Sequence, residues 1–87
     1  MFRVGQLVII ISPGEATTMS GRRWKKAVAD ELDRKGIVSS ANSWVVLGGP
    51  ANSYTHYIAT PEEYAVQRYE GASTLYGQYT YVALCPL

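Results

Sequence analysis

The stretch VGQLVIIISPGE, residues 4–15, decides the fold and raises the question of why a charged residue, Glu15, follows a long apolar run. Within this stretch, Leu7–Ile11 is an unbroken run of apolar and mostly β-branched residues, which is typical of a strand buried on both faces of a parallel sheet. Pro13-Gly14 ends the run, and a lone carboxylate follows at Glu15. We therefore predict a buried strand from residue 4 to residue 11, with Glu15 just beyond its carboxyl end.

A helix and a second strand follow in the sequence. The hydroxyl residues at positions 17–20 can cap a helix, and Gly36 stands where a left-handed C-cap is needed. The apolar residues between these caps recur at three- and four-residue steps, namely Trp24, Ala27, Val28 and Leu32. We predict a helix from about residue 18 to residue 35, and a second buried strand over the short apolar run 44–47.

This order of elements predicts where chemical groups meet. A strand, a helix and a strand imply a right-handed crossover between parallel strands, whose carboxyl ends share one edge of the sheet. Glu15 and the loop GGPANSYTHYIAT, residues 48–60, are therefore expected on one rim. Carboxylate oxygen and imidazole nitrogen are both zinc donors. From the residues alone, a metal ligand and an ordinary capping or solvated glutamate remain alternatives for Glu15.

The last third of the chain carries one clear helix signal. Thr60, Pro61 and Glu63 form a capping box with proline at the first helical position, which predicts a second helix ending near Gly71. The aromatic segment beyond it gives conflicting strand and helix signals, and Pro86 argues against helix at the very end. The predicted fold class is α/β, a strand-helix-strand parallel unit with a second short helix.

Composition excludes several classes of partner. Eight Lys and Arg against seven Asp and Glu leave a net charge of +1, which does not favour nucleic acid. The single cysteine, Cys85, cannot form an intrachain disulfide or a cysteine-based zinc cluster. The longest apolar run is too short for a signal-peptide core or a transmembrane helix. We expect one small domain without a nucleic-acid partner or a transmembrane segment, and the sequence predicts no compartment.

Two long segments carry a resemblance to a known family. PGEATTMSGRR (13–23) and NSYTHYIATPEEYAVQRYEGASTLYG (52–77) resemble the neutral, non-lysosomal ceramidases. These are zinc-dependent amidohydrolases that cleave the N-acyl amide of ceramide into sphingosine and a fatty acid. The resemblance implies that residues 1–78 are a fragment from the C-terminal part of a larger α/β catalytic domain, and that residues 79–87 are a divergent tail.

The resemblance also implies roles for individual residues. Glu15 and Tyr57 match the family's zinc-binding glutamate and tyrosine, so zinc is the expected cofactor. Tyr69 matches a tyrosine that points toward the substrate's amide, which implies a catalytic and substrate-binding role, since a phenol can donate to a developing oxyanion. His56 matches a position that is not a ligand. In the family, two histidine ligands and the catalytic serine precede the PGE motif, so the 87 residues are expected to need that upstream part and to be inactive alone.

Two other functions remain open in the sequence. The chain can be a non-catalytic remnant that acts as a small interaction module through apolar surface left uncovered. The basic, aromatic-bearing segment 22–26 can bind anionic lipid, although cations at the start of a helix with Trp24 facing the core are more typical of a solvated face. Family members are secreted or membrane-associated.

Overall fold

A computed structural model describes residues 1–85 of the chain, so Pro86 and the end of the predicted tail lie outside the described residues. The strands are β1 (Phe2–Val4), β2 (Leu7–Ile11), β3 (Glu15–Ala16), β4 (Trp44–Gly48) and β5 (Tyr57–Ile58). The helices are α1 (Thr18–Arg34), α2 (Pro61–Val66), α3 (Tyr69–Ala72) and α4 (Thr80–Leu84). A three-stranded sheet has the order β1-β2-β4, and β3 pairs with β5 in a second, two-stranded sheet.

The central pairing is the predicted parallel one. β2 lies beside β4 in parallel register from Leu7–Trp44 to Ile11–Gly48, and α1 provides the crossover between them. The prediction of one strand over residues 4–11 is wrong, because the chain reverses between Val4 and Leu7 and β1 pairs antiparallel with β2. Gly5 makes this tight turn possible, since its φ of 60° lies in the left-handed region that glycine adopts without strain.

The long helix matches its predicted bounds within one residue. Thr17 is its N-cap and its hydroxyl accepts a hydrogen bond from the Ser20 amide at 3.1 Å. Gly36 follows the C-terminus with φ 68°, and the Ile37 amide closes the end by donating to the Leu32 carbonyl. The core lies between this helix and one face of the larger sheet, and consists of Val8, Ile10, Trp24, Val28 and Ile58.

The basic segment at the start of α1 forms an ordinary solvated face. Trp24 is buried and packs edge-on against Tyr81 with ring centroids 6.3 Å apart. Arg23 pairs with Glu62 at 2.9 Å and Lys26 with Asp30 at 2.6 Å. The aromatic ring therefore belongs to the core, and acidic neighbours offset two of the cations.

The opposite face of the larger sheet is apolar and uncovered. Phe2, Ile9 and Val46 stand in one cross-strand row, and Val4, Leu7 and Trp44 in the next. Phe2, Val4 and Trp44 are 65–72% exposed. The prediction of a strand buried on both faces is therefore wrong for this chain, because α1 covers one face and no element within residues 1–85 covers the other. We call these six residues the open sheet face.

The predicted second helix is divided into two. The capping box at Thr60 and Glu63 is present as predicted. The helix ends early because Gln67 takes a left-handed conformation with φ 57°, and α3 starts again at Tyr69. Within the segment with conflicting signals, Thr80–Leu84 forms α4. None of the helices in residues 1–85 has the length and apolar character needed to span a bilayer.

The Ser20 hydroxyl yields a test of the core. Ser20 is fully buried, and its oxygen has no hydrogen-bond partner within the described part of the chain. A buried polar group without a partner costs about 1–3 kcal/mol, and alanine is the better helix former. We expect Ser20→Ala to raise the free energy of unfolding by about 1 kcal/mol, which is about 4–8 °C in Tm for a domain of this size. The exposed Ser53→Ala is the control, and a lower Tm for Ser20→Ala would contradict the assignment.

The open sheet face makes a second prediction. Apolar surface of this kind drives association in water, so the isolated 87-residue chain should self-associate with rising concentration in sedimentation velocity experiments. The double change Trp44→Thr and Val46→Thr should shift it toward monomer, because threonine keeps the strand propensity and removes apolar area. Val66→Thr, which changes a still more exposed valine at the end of α2, should have little effect. A chain that stays monomeric at every concentration would refute this.

Candidate metal centre

The candidate centre lies at the pairing of β3 with β5. These two-residue strands are parallel, and Glu15 and Tyr57 are direct partners across them. The Glu15 amide donates to the His56 carbonyl at 2.9 Å, and the Thr17 amide donates to the Ile58 carbonyl at 3.2 Å. Register partners in neighbouring strands lie about 4.8 Å apart with side chains on the same face. The expectation that Glu15 and the later loop share one rim is confirmed.

The turn before β3 is tied to the loop that leads into β5. Ser12 is fully buried, and its amide donates to Gly48 while its carbonyl accepts from Ala51. The Thr55 amide donates to the Pro13 carbonyl at 3.0 Å. These bonds carry the parallel alignment of β2 and β4 beyond the ends of both strands. The two loops therefore stay side by side up to the rim, which places Glu15 beside Tyr57.

Tyr54 adds a group whose role the sequence left undecided. Its hydroxyl donates to the Glu15 carboxylate at 3.0 Å. Desolvation, then the hydrogen bond to Glu15 and the charge of that carboxylate, raise the pKa of Tyr54. Tyr54 lies in the segment that resembles the ceramidases, where packing and catalysis are both compatible with a tyrosine. The sequence signal that could have identified Tyr54 is its place in loop 48–60, which is predicted to share a rim with Glu15.

His56 contributes its backbone to the centre. Its carbonyl accepts the bond from Glu15, and its φ of 65° turns the chain between Tyr54 and Tyr57. The imidazole packs against the Tyr54 ring with centroids 5.3 Å apart. The interpretation of His56 as a structural residue stays a prediction.

Tyr57 and Tyr69 form the other side of the centre. Their rings meet edge to face, with centroids 5.6 Å apart and planes at 83°. Tyr69 is the first residue of α3 and is 70% exposed, and the bond from the Tyr57 amide to the Ser73 carbonyl holds the end of that helix against β5. Partial desolvation, followed by the negative charge of Glu15, raises the pKa of Tyr57. The structure thus brings together all three predicted site residues.

The oxygens of this centre suit part of a zinc site. A carboxylate is an ordinary zinc donor, and a bound cation would favour the anionic form of a nearby phenol. Within residues 1–85, no group of three or more His, Cys, Asp and Glu could hold a metal ion. Four-coordinate zinc takes three or four protein ligands. By its chemistry Glu15 therefore fits one of those positions, and Tyr57 would fill another as the phenolate that a cation favours, which is an unusual zinc donor.

An apolar cavity of about 370 Å³ opens beside this rim. Pro13 and Thr55, which are each two residues from a candidate ligand, form part of its wall. The rest of the lining is mainly aromatic and aliphatic, and includes Tyr76, Tyr79 and Leu84. A polar centre therefore adjoins a space suited to an apolar group.

Comparison with known proteins decides the family. Residues 1–85 match the sequence model of the family described as "Neutral/alkaline non-lysosomal ceramidase, N-terminal". The chain belongs to this ceramidase family. The match is to the family's N-terminal region, which corrects the expectation of a fragment from a C-terminal part.

Individual ceramidases agree with this assignment. The chain is 56% identical over 80 residues to the neutral ceramidase of Oryza sativa, which covers 92% of this chain and 10% of that protein. It is 47% identical over 83 residues to the neutral ceramidase of Pseudomonas aeruginosa, with 95% of this chain and 12% of that protein covered. The chain thus spans about a tenth of the length of these relatives.

Solved ceramidase structures contain the same fold. A ceramidase complexed with C2 superimposes with a TM-score of 0.86 and 46% identity over 100% of this chain and 13% of that one. The crystal structure of the Pseudomonas aeruginosa neutral ceramidase gives a TM-score of 0.85 at 45% identity over 99% of this chain and 13% of that one. The small α/β arrangement described above is therefore the one that this family uses.

Gly14 provides a test of how the rim is built. A Cβ added there would lie 2.9 Å from the His56 carbonyl oxygen, the Thr55 hydroxyl and Ile58. Gly14→Ala should therefore push β3 away from β5 and lower the free energy of unfolding by about 1–3 kcal/mol. Gly21→Ala is the matched control, because the nearest atom there is 3.8 Å away and alanine favours the helix. Urea unfolding should give opposite signs for the two changes, and equal effects would contradict the close packing at Gly14.

Proposed function

We propose that this ceramidase-family chain supplies one side of the zinc centre of a ceramide amide hydrolase. Glu15 and Tyr57 are its zinc ligands, and Tyr69 binds the substrate's amide. The observation that carries the proposal is the register pairing of Glu15 with Tyr57, with the Tyr69 ring against the Tyr57 ring. The family supports it, since relatives that match along nearly the whole chain are named neutral ceramidases.

The reaction adds water across the N-acyl amide and releases sphingosine and a fatty acid. Bound zinc would supply Lewis acidity toward the amide carbonyl and activate the water. Glu15 provides the negative charge that holds the cation, and the Tyr54 hydroxyl fixes one oxygen of that carboxylate. The exposed Tyr69 hydroxyl can donate a hydrogen bond to the amide oxygen, where negative charge grows in the transition state.

The neighbouring cavity supports a lipid as the substrate. An amide at the polar rim would place one of its substituents toward Pro13, Thr55 and the aromatic residues beyond them. Because these walls are mainly apolar, burying a hydrocarbon chain there is favourable. The side-by-side placement of oxygen donors and apolar space suits a polar headgroup with a long tail.

The 87 residues alone are proposed to be inactive. They provide two candidate zinc donors, and the open sheet face lacks a covering layer within the described residues. The relatives are about ten times longer. The remaining ligands and the cover are therefore assigned to other parts of the family's catalytic domain.

The open sheet face favours one alternative function. An exposed apolar surface of three strands is typical of an interface, so the chain can act as a non-catalytic interaction module. The two functions differ in whether the rim binds metal. If the chain is an interaction module, sedimentation velocity should show its complex with a partner protein in the absence of zinc.

The decisive experiment places this sequence in a complete enzyme. Residues 1–85 would replace the matching segment of the Pseudomonas aeruginosa neutral ceramidase, and the chimera should bind zinc and hydrolyse ceramide. Glu15→Gln should remove most of the zinc and lower kcat/KM by more than about 100-fold, because losing even an outer partner of a metal costs 10–100-fold. Its Tm without metal should stay unchanged, since Glu15 is exposed.

Two controls make the result specific. Asp33→Asn, an exposed acid at the far end of α1, should leave zinc content and turnover unchanged. Zinc calorimetry on the 87-residue chain should show no tight site, and the same sample should not hydrolyse ceramide. If zinc and turnover in the chimera survive Glu15→Gln, the ligand assignment is wrong.

A further inference from the structure

Both strands of the candidate centre lead into the N-terminus of a helix. β3 is followed by Thr17, which caps α1, and β5 is followed after one residue by Thr60, which caps α2. The two threonines are 8% and 1% exposed. The helix N-caps therefore lie side by side behind the pair that carries Glu15 and Tyr57.

One carboxylate oxygen joins these two caps. Oε1 of Glu63 accepts hydrogen bonds from the Thr17 hydroxyl at 2.7 Å, the Thr60 amide at 2.9 Å and the Thr60 hydroxyl at 3.0 Å. The bond to Thr17 crosses 46 positions of the sequence. Hydrogen bonds to an ionised acceptor are shorter and stronger than neutral ones. These three bonds, which we call the link, are thus charge-assisted and partly buried.

The capping of α2 does not require the bond to Thr17. A capping box needs the bonds between the N-cap residue and the residue at the third helical position, and here these are Thr60 and Glu63. The additional bond from Thr17 attaches the start of α1 to the same oxygen. A two-residue strand pair holds its register weakly by itself, because it contains few ladder bonds. The extra bond therefore supports the pairing of β3 with β5 from the side of the two helix N-caps.

We propose that Glu63 is a positioning residue for the metal centre. By holding Thr17 and Thr60 on one oxygen, it fixes β3 against β5 and thereby sets the separation of Glu15 from Tyr57. This role rests on the proposed function of the rim as a zinc site. The link itself is a property of the 87-residue chain and can be measured without metal.

The first measurement is amide hydrogen exchange in the 87-residue chain, followed by mass spectrometry. Glu63→Ala should speed exchange in peptides that contain the Glu15 and Thr17 amides by at least tenfold relative to peptides from β2. Glu62→Ala is the matched control, because it removes the neighbouring glutamate and its exposed pair with Arg23 but leaves Oε1 of Glu63 in place. It should leave that exchange ratio unchanged.

A second variant separates the link from helix capping. Thr17→Asp keeps an oxygen that can cap α1 but lacks the hydroxyl donor and places a negative charge beside Glu63. It should speed exchange at the rim as Glu63→Ala does. Thr17→Ser, which keeps the donor, should behave as the parent. This pair decides the question even if Glu63→Ala fails to fold.

The second measurement is zinc affinity and turnover in the chimera that carries residues 1–85. Glu63→Ala should weaken zinc binding and lower kcat by about 10–100-fold, as expected when support for a ligand is lost. KM should change little, since Glu63 lies behind the rim. Glu63→Gln, which keeps a carbonyl acceptor of the same reach, should restore most of both. The effects of Thr17→Asp and Glu63→Ala together should be smaller than their sum, because both variants remove the Thr17–Glu63 bond and Glu63→Ala also removes the carboxylate that the introduced charge would repel.

The possible outcomes distinguish this inference from the proposed function. If Glu63→Ala lowers Tm but leaves rim exchange and zinc affinity at their parent values, Glu63 is a helix cap only and the inference is wrong. If the parent chimera binds no zinc, the proposed function fails, and so does the positioning role. Faster exchange in the variants would then show only that Glu63 ties β3 to β5.

Discussion

The parallel pairing of β3 with β5 is the contact on which the candidate centre depends. By itself a pair of two-residue strands contributes little stability, yet it brings together residues 42 positions apart, Glu15 and Tyr57. Its alignment continues that of β2 and β4, because hydrogen bonds of Ser12 and Thr55 hold the two following loops side by side. Ile58 anchors β5, since it is fully buried and belongs to the core cluster that also contains Val8. Core packing therefore supports the β5 side of the rim.

The electrostatics of the rim follow from the same placement. Glu15 stands next to the phenols of Tyr54 and Tyr57, and its negative charge contributes to raising both pKa values. Behind it, desolvation of Glu63 alone would raise the pKa of that carboxyl, but hydrogen bonds from Thr60 and Thr17 outweigh it and lower the pKa. The rim thus concentrates acceptors and ionisable oxygens on one side of the strands. The charge of Glu15 disfavours the anionic forms of these phenols, and a cation bound here would favour them.

The sequence was sufficient for the features that depend on local pattern. The apolar run Leu7–Ile11, the spacing of apolar residues in α1 and the capping box at Thr60 each predicted an element that the structure contains. The crossover rule then placed Glu15 beside the later loop. The resemblance of two long segments predicted the family that the comparisons show.

Other features had no local signal. Gln67 ends α2 in a left-handed conformation that is unusual for a residue other than glycine, so its sequence gave no warning. Gly5 is compatible with a strand by its sequence, and only the antiparallel pairing of β1 with β2 makes it a turn residue. The bond from Tyr54 to Glu15 and the triple acceptor at Glu63 join positions 39 and up to 46 residues apart, and only the folded chain brings them into contact.

The edges of the larger sheet have a directional consequence. β1 and β4 are its outer strands, and they run in opposite directions, because β1 is antiparallel to β2 while β4 is parallel to it. A further strand laid parallel beside β4 would finish at the same end as Ile11 and Gly48. A strand laid antiparallel beside β1 would finish there too, because it would run in the direction of β2. Every segment recruited with one of these polarities would deliver its next loop to the side of Glu15 and Tyr57, whereas a strand of the opposite direction would bring its preceding loop there.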